Sequence, residues 1–342
     1  MSCDLPVAAM DLARIFAAGG RLVVAAPGRF DHAQHVAVEF VHPAITGARS
    51  LPAVAVELSQ IESSVGANDA LLILENPEHR LDTDVPDAAK VLIVGRELSG
   101  PALVRWYHVL WELVQVGLEH PGLTGGAATS GGDSTSFLYP FLDASESSEA
   151  SLLESTASSW ATKERESEEL CAKTLAENHS AIVAVTAAIQ SCRDRGGTTY
   201  AIGNGGSACD AARLVRLLNR SEVPARSLAA DTAILTALAN DLGVDKIFAR
   251  QVEATVRSGD VLLAFSTSGA SPNLLAALDV AERLGANVVI SAGYNGGSMA
   301  EHPAVDHRLI VDSTSVHRIQ EAQGVLIDQI CEDLTARSEV SA

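Results

Sequence analysis

Two stretches of this 342-residue chain carry residues suited to holding an anion. The first, AIGNGGSACDAARLVRLLNR at 201–220, sets Gly203, Gly205 and Gly206 around Asn204 and Ser207. Glycines let the backbone curl, so that N–H groups converge ahead of a helix N-terminus, where a phosphate is favoured. The second, FSTSGAS at 265–271, offers the hydroxyls of Ser266, Thr267, Ser268 and Ser271 where a strand gives way to a helix. One such turn could be a ligand-free cap. Two after successive strands favour a phosphate.

Acid–base residues sit elsewhere. His35 and Glu39 are four residues apart, on one helix face, and could share a divalent metal or act as an acid/base pair. The bland alternative is a polar helix face. The helix behind the 203–207 turn has Arg213 and Leu217 at the matching positions, which can do neither. On the last helix of each half, His108 matches Asp328. The turns of the first half are poor phosphate sites: Ala26-Pro27-Gly28-Arg29 loses a donor at Pro27, and Glu75-Asn76-Pro77-Glu78 would repel an anion.

The elements that position these residues repeat. In the C-terminal half, 163–194 reads as a long helix, with Leu170, Leu175, Ile182, Val183, Val185 and Ile189 at roughly helical spacing. TTYAIGNGGS is a short strand into a glycine turn, and DVLLAFSTSGASPNLLAALDVAERLGANVVISAG is a strand–helix–strand unit. A final helix covers about 318–336. In the N-terminal half, GGRLVVAAPGRFDHAQHVAVEFV, GANDALLILENPEHRL and VRWYHVLWELVQVGLE repeat the order in shortened form. The spacing therefore predicts two α/β modules, each a parallel sheet of about four or five strands flanked by helices on both faces. They span 1–119 and 163–342. Residues 120–162, Gly/Ser-rich and then acidic, read as a linker with one short helix inside.

Bulk properties narrow the function. The net charge is −19, which excludes the basic footprint of a nucleic-acid binder. Hydrophobic residues make up 47% of the chain, enough for a core in each half. No apolar run reaches the roughly 18 residues of a membrane span, and the N-terminal residues lack a basic leader segment. Cys3, Cys171, Cys192, Cys209 and Cys331 show no CxxC spacing and read as reduced core thiols of a cytoplasmic protein.

GNGGSACDA, ANDLGVDKIFARQVEA, GDVLLAFSTSGASPNLLAAL and RIQEAQ together resemble the phosphoheptose isomerase family of sugar isomerase (SIS) domains, over about 165–336. A weaker resemblance covers about 8–118, resting on DHAQHVAVEF and HVLWELV, with the counterpart of ADTAILTALANDLGVDKIF largely missing. The resemblance implies a fused tandem of a degenerate and a complete-looking copy. It implies substrate binding by Asn204, Gly205, Gly206, Ser207, Asn240, Asp241, Ser266, Thr267, Ser268, Ser271 and Gln320. The family's reactive His and Glu on the first helix, and its His on the last, match His35, Glu39 and His108 of the N-terminal copy. His317 stands where a typical member has Asp.

The implied activity interconverts sedoheptulose 7-phosphate and D-glycero-D-manno-heptose 7-phosphate through an enediol. Glu39 would be the base and His108 its acid/base partner. Zinc, or another divalent ion, would be held by His35, Glu39, His108 and Gln320. Family members are homotetramers with sites between subunits, so two fused chains would form a pseudo-tetramer. The alternative is a non-catalytic sugar-phosphate-binding regulator or scaffold, as some relatives are.

Overall fold

The computed structural model describes residues 4–43, 49–76, 78, 90–94, 98, 100–120, 124 and 149–341. They form two compact units, Met1–Glu166 and Ser167–Ala342. No described helix is long and apolar enough to cross a membrane.

In the first unit α1 (Leu5–Ala17) leads into β1 (Leu22–Ala25), α2 (Phe30–Val41), β2 (Ala53–Ala55), α3 (Ile61–Ser64), β3 (Ala70–Leu74), β4 (Lys90–Val94) and α4 (Gly100–Glu119). The strands are parallel in the order β2-β1-β3-β4. β1 reads LVVA and β3 reads ALLIL, and every one of these residues is buried. Such continuous apolar strands belong at the centre of a sheet covered on both faces. Leu22, Val24 and Leu72 face a core shared with Leu12, Phe40, Tyr107 and Trp111 of α1, α2 and α4. Val23, Ala25, Leu71 and Ile73 point the other way, onto Ile61.

The second unit holds most of α5 (Glu149–Asp194), then β5 (Thr199–Ile202), α6 (Gly206–Arg220), β6 (Ala225–Ser227), α7 (Thr232–Leu242), α8 (Ile247–Thr255), β7 (Val261–Ser266), α9 (Pro272–Leu284), β8 (Asn287–Ala292), α10 (Gly297–Ala300), β9 (His307–Ile310) and α11 (Val316–Ser341). Its parallel order is β6-β5-β7-β8-β9. Leu263, Phe265 and Val289 face one core with Ile189, Leu214 and Leu326. Leu262, Ala264 and Val288 face another with Phe248, Val252 and Leu278.

The four strands of the first unit thus repeat the order of the first four of the second. A buried aspartate repeats with them. Asp69, just before β3, accepts from the backbone N–H of Arg21 (2.9 Å) and of Gly66 (2.9 Å). Asp260, just before β7, accepts from those of Thr198 (2.9 Å) and Arg257 (2.7 Å). Each carboxylate ties the start of one central strand to the start of its neighbour. The first module is the shorter. Between β2 and β3 it has only a 3₁₀ turn and α3, where the second has α7, a 3₁₀ turn and α8.

Two boundaries differ from the sequence reading. α5 begins at Glu149, so 149–162 is helix rather than linker. Its Trp160 packs against the first unit's core, Lys163 pairs with Glu112, and Glu164 accepts from Arg105. Those contacts outweigh the weak helix propensity of its serines. The final helix runs Val316–Ser341, longer at both ends than expected. Apart from 120 and 124, the segment 120–148 lies outside the described residues.

Asp69 yields a test of the repeated clamp. Burial would raise its carboxyl, but the hydrogen bond from Arg21, with those of the Gly66 and Arg21 backbone, holds it below the usual range. A carboxyl so lowered contributes its stability fully above the unfolded value of about 3.9, and loses it as pH falls through the folded value. Asp69→Asn should cost about 1–3 kcal/mol at pH 7, the penalty for unmaking buried hydrogen bonds. The variant should also lose less stability than the parent between pH 5 and pH 3. Urea unfolding at those pH values reads both, and equal curves would sink the argument.

Candidate active site

α2 and α4 bring the sequence-separated trio together. One ligand atom each of His35, Glu39 and His108 lies within 4.8 Å of the others, and all three side chains are buried. The i,i+4 spacing places His35 Nε2 3.5 Å from Glu39 Oε1. The His35 and His108 rings meet edge to face at 5.3 Å between centroids. His35 Nδ1 lies 2.9 Å from the Tyr107 hydroxyl, while its Nε2 is buried with no hydrogen-bond partner among the described residues. Two imidazoles and a carboxylate are a donor set that zinc accepts. The unsatisfied Nε2, aimed at a carboxylate, fits a divalent cation. A buried polar cluster of this kind is also what an acid/base pair needs.

Beside this trio the strand-end turns are closed by the chain itself. The Arg29 guanidinium is buried and donates to the carbonyls of Leu74 (3.4 Å) and Glu75, just past β3. Asn76 Nδ2 reaches back to the Pro27 carbonyl (3.4 Å). Side chains of both turns thus bridge the ends of β1 and β3. Pro77 lies outside the described residues.

In the second unit the equivalent turns present polar groups. Asn204 and Asn273 exchange amide hydrogen bonds of 3.0 and 2.8 Å, tying the turn after β5 to the first turn of α9. Asn204 and Gly205 are exposed and Gly206 is half-buried, while Ser207 is buried. Ser266 is buried too, and its hydroxyl accepts from the Gly269 N–H at 2.9 Å, so it shapes the turn from within. Thr267 and Ser271 are half-buried and Ser268 is exposed. Ser271 is the N-cap of α9 but its hydroxyl makes no capping bond.

Where the first unit has His35 and His108, the second has a salt bridge. Arg213 donates to the Gly324 carbonyl (3.0 Å) and pairs with Asp328. Burial pushes the neighbouring Cys331 thiol up to about 12, so it supplies no thiolate at neutral pH. Among the described residues Cys171, Cys192, Cys209 and Cys331 are thiols rather than disulfide halves, and Cys3 lies outside the described residues.

The remaining expected site residues are dispersed. Asn240 and Asp241 are exposed on α7 and hydrogen-bond each other at 2.8 Å. Gln320 is buried on α11, its Oε1 without a hydrogen-bond partner among the described residues. His317 is buried one turn earlier. Sequence reasoning missed Gln323, which is fully buried and donates to the carbonyls of Ser266 (3.3 Å) and Ser291 (2.9 Å). It braces the ends of β7 and β8 from α11. The signal was present in RIQEAQ, where Gln323 follows Gln320 at helical i,i+3 spacing.

A sequence profile of the SIS domain matches residues 164–291. A solved C-terminal domain of glucosamine-fructose-6-phosphate aminotransferase from Francisella tularensis covers 95% of this chain and 86% of its own. Its TM-score is 0.58 at 11% identity, a likeness of fold alone. Parallel modules of this strand order define the chain as a SIS-type α/β protein. The phosphoheptose isomerase of Desulfovibrio desulfuricans is 46% identical over 140 residues, 39% of this chain and 65% of the relative. That of Geotalea daltonii is 40% identical over 162 residues, 46% of this chain and 83% of the relative. The solved phosphoheptose isomerase of Neisseria gonorrhoeae has a TM-score of 0.50 and 32% identity, over 52% of this chain and 96% of its own. The chain belongs to the phosphoheptose isomerase family.

Proposed function

We propose that this chain is an aldose–ketose isomerase that interconverts sedoheptulose 7-phosphate and D-glycero-D-manno-heptose 7-phosphate through an enediol. One observation carries the reading: each module has what the other lacks. The first holds the buried trio His35, Glu39 and His108 beside turns plugged by Arg29. The second holds the open Ser/Thr turn but an Arg213–Asp328 pair where the trio would be. We read the two as tandem copies that share one composite site.

In that site Thr267, Ser268 and Ser271 grip the phosphate, with Asn204, Gly205 and Gly206 lining the neighbouring turn. Binding energy far from the reacting carbons is then used for positioning. Glu39 takes the proton from the carbon next to the carbonyl and returns it to the former carbonyl carbon. His108 moves the hydroxyl proton between the two oxygens of the enediol. Zinc held by His35, Glu39 and His108, with Gln320 as a fourth ligand, would polarise those oxygens. Glu39 can serve as base only when not fully committed to the ion.

Ile234, Leu242 and Val244, exposed on and just after α7, support burial against a second chain, and hence a homodimer of four modules. The lack of a membrane-spanning helix among the described residues fits a cytoplasmic enzyme with a small-molecule partner.

An isomerase assay across five-, six- and seven-carbon ketose phosphates, with and without chelator, tests the reading. Turnover greatest on the seven-carbon substrate and lost with chelator is expected. Tight binding with no turnover of any substrate would instead make the chain a sugar-phosphate sensor. Thr267→Ala should weaken sugar-phosphate binding roughly 10- to 100-fold, the worth of a hydrogen bond to a charged group. Its turnover at saturation should be kept. An unchanged Kd by calorimetry would remove Thr267 from the phosphate grip.

A further inference from the structure

The Tyr107 hydroxyl lies 2.9 Å from His35 Nδ1, and both side chains are buried. Tyr107 immediately precedes His108 on α4, so one turn of helix presents a member of the trio and a group bonded to another member. Most groups that orient a metal-binding histidine are carboxylates or carbonyls, which only accept. A tyrosine hydroxyl can accept or donate. That difference decides what His35 can do.

With its proton on Nε2, His35 directs that N–H toward Glu39 Oε1, 3.5 Å away, and Nδ1 accepts from the Tyr107 hydroxyl. With its proton on Nδ1, the ring donates to the Tyr107 oxygen and leaves the Nε2 lone pair for a cation. Which nitrogen ligates is set by what the other one bonds. An acceptor-only group in place of Tyr107 would hold only the second form.

We propose that Tyr107 is a positioning residue that satisfies His35 in both tautomers, keeping the ring aimed at Glu39 whether or not a cation is bound. This rests on reading the trio as a metal site. The ring contact between Tyr107 and His35, 5.1 Å between centroids, would hold the orientation.

The test is a cobalt(II) titration of chelator-treated full chain, read by visible absorbance, for the parent, Tyr107→Phe and His35→Ala. Tyr107→Phe should bind cobalt about 10- to 100-fold more weakly, the usual effect of losing such a partner. His35→Ala should bind none. Nitrogen-15 NMR of the parent should show the His35 proton on Nδ1 when zinc is bound, a readout that needs no variant to fold. Tyr107→Phe matching the parent's cobalt affinity within twofold, while His35→Ala has lost it, overturns the role of Tyr107 and leaves the metal site standing. A zinc-bound parent with the His35 proton on Nε2 does the same. A parent that takes up no cobalt overturns both. A lowered melting temperature with unchanged cobalt affinity would make Tyr107 a packing residue and end the proposal.

Discussion

Glu39→Gln should leave a chain that folds and binds sugar phosphate but isomerises it about 10²–10⁴-fold more slowly, the usual loss for a removed acid/base. The substitution keeps the size and shape of a side chain that is buried on α2. It removes the lone pair that would carry the proton between adjacent carbons. His108→Gln should fall by a similar factor, because the enediol cannot form unless the oxygen is protonated as the carbon is deprotonated. Neither change touches the 266–271 turn, so the Kd for a sugar phosphate should stay near the parent's. The signature is therefore a split between turnover and binding, opposite to that of Thr267→Ala. Stopped-flow or coupled assays at saturating substrate, with calorimetry alongside, separate the two. Near-full activity in either variant would falsify the composite site. So would loss of binding and turnover together, which would point to a structural role for the trio.

The trio was legible because helices impose a fixed repeat. His35 and Glu39 share a face by spacing alone, and the matching order of elements placed His108 on the last helix of the same half. The parallel sheets were legible for a similar reason: LVVA, ALLIL, TYAI and VLLAFS are almost wholly apolar, the mark of strands buried on both faces. The Asp69 and Asp260 clamps sit in the paired segments GANDALLILENPEHRL and RSGDVLLAFSTSGASPNL, but the bond of each that reaches the neighbouring strand runs to a residue 48 or 62 positions away. Spacing carries no information about partners that distant. Arg29 was hidden in the same way. Its sequence neighbours give no sign that its guanidinium crosses to the end of β3. The start of α5 was misplaced because Ser-rich composition suggests a linker, whereas Trp160, Lys163 and Glu164 find their partners on the first unit. Tyr107 stands between Trp106 and His108 on an apolar helix, and nothing in that spacing marks its hydroxyl. Only the packing of α2 against α4 turns its hydroxyl into a partner for His35.

Gly269→Ala should abolish sugar-phosphate binding and destabilise the second unit by on the order of 2–4 kcal/mol, a left-handed backbone penalty added to an overpacking cost. Gly269 has φ +66, where an L side chain is strained, and a Cβ there would stand 2.0 Å from the Gly296 oxygen and 2.4 Å from its carbonyl carbon. Both atoms are backbone, so no side chain can swing aside. Gly297 is trapped reciprocally, its Cβ position 2.6 Å from the Ser268 oxygen. The Met299 N–H also donates to the Gly269 carbonyl at 2.8 Å. The turn that presents Thr267 and Ser268 is therefore interlocked with the turn after β8, and cannot shift without moving it. Its inner bond, from the Gly269 N–H to Ser266 Oγ, would be lost in the same displacement. Gly196→Ala is the matched control. Gly196, in the same unit but with no part in the proposed site, too has a positive φ, +75, yet nothing lies within 4 Å of a Cβ there, so only the conformational penalty of roughly 1–2 kcal/mol applies. Urea unfolding should rank Gly269→Ala as the less stable, and calorimetry with a sugar phosphate should show binding lost in Gly269→Ala and retained in Gly196→Ala. If the two variants were equally stable, the interlocked turns would not be what holds the phosphate-facing hydroxyls in place.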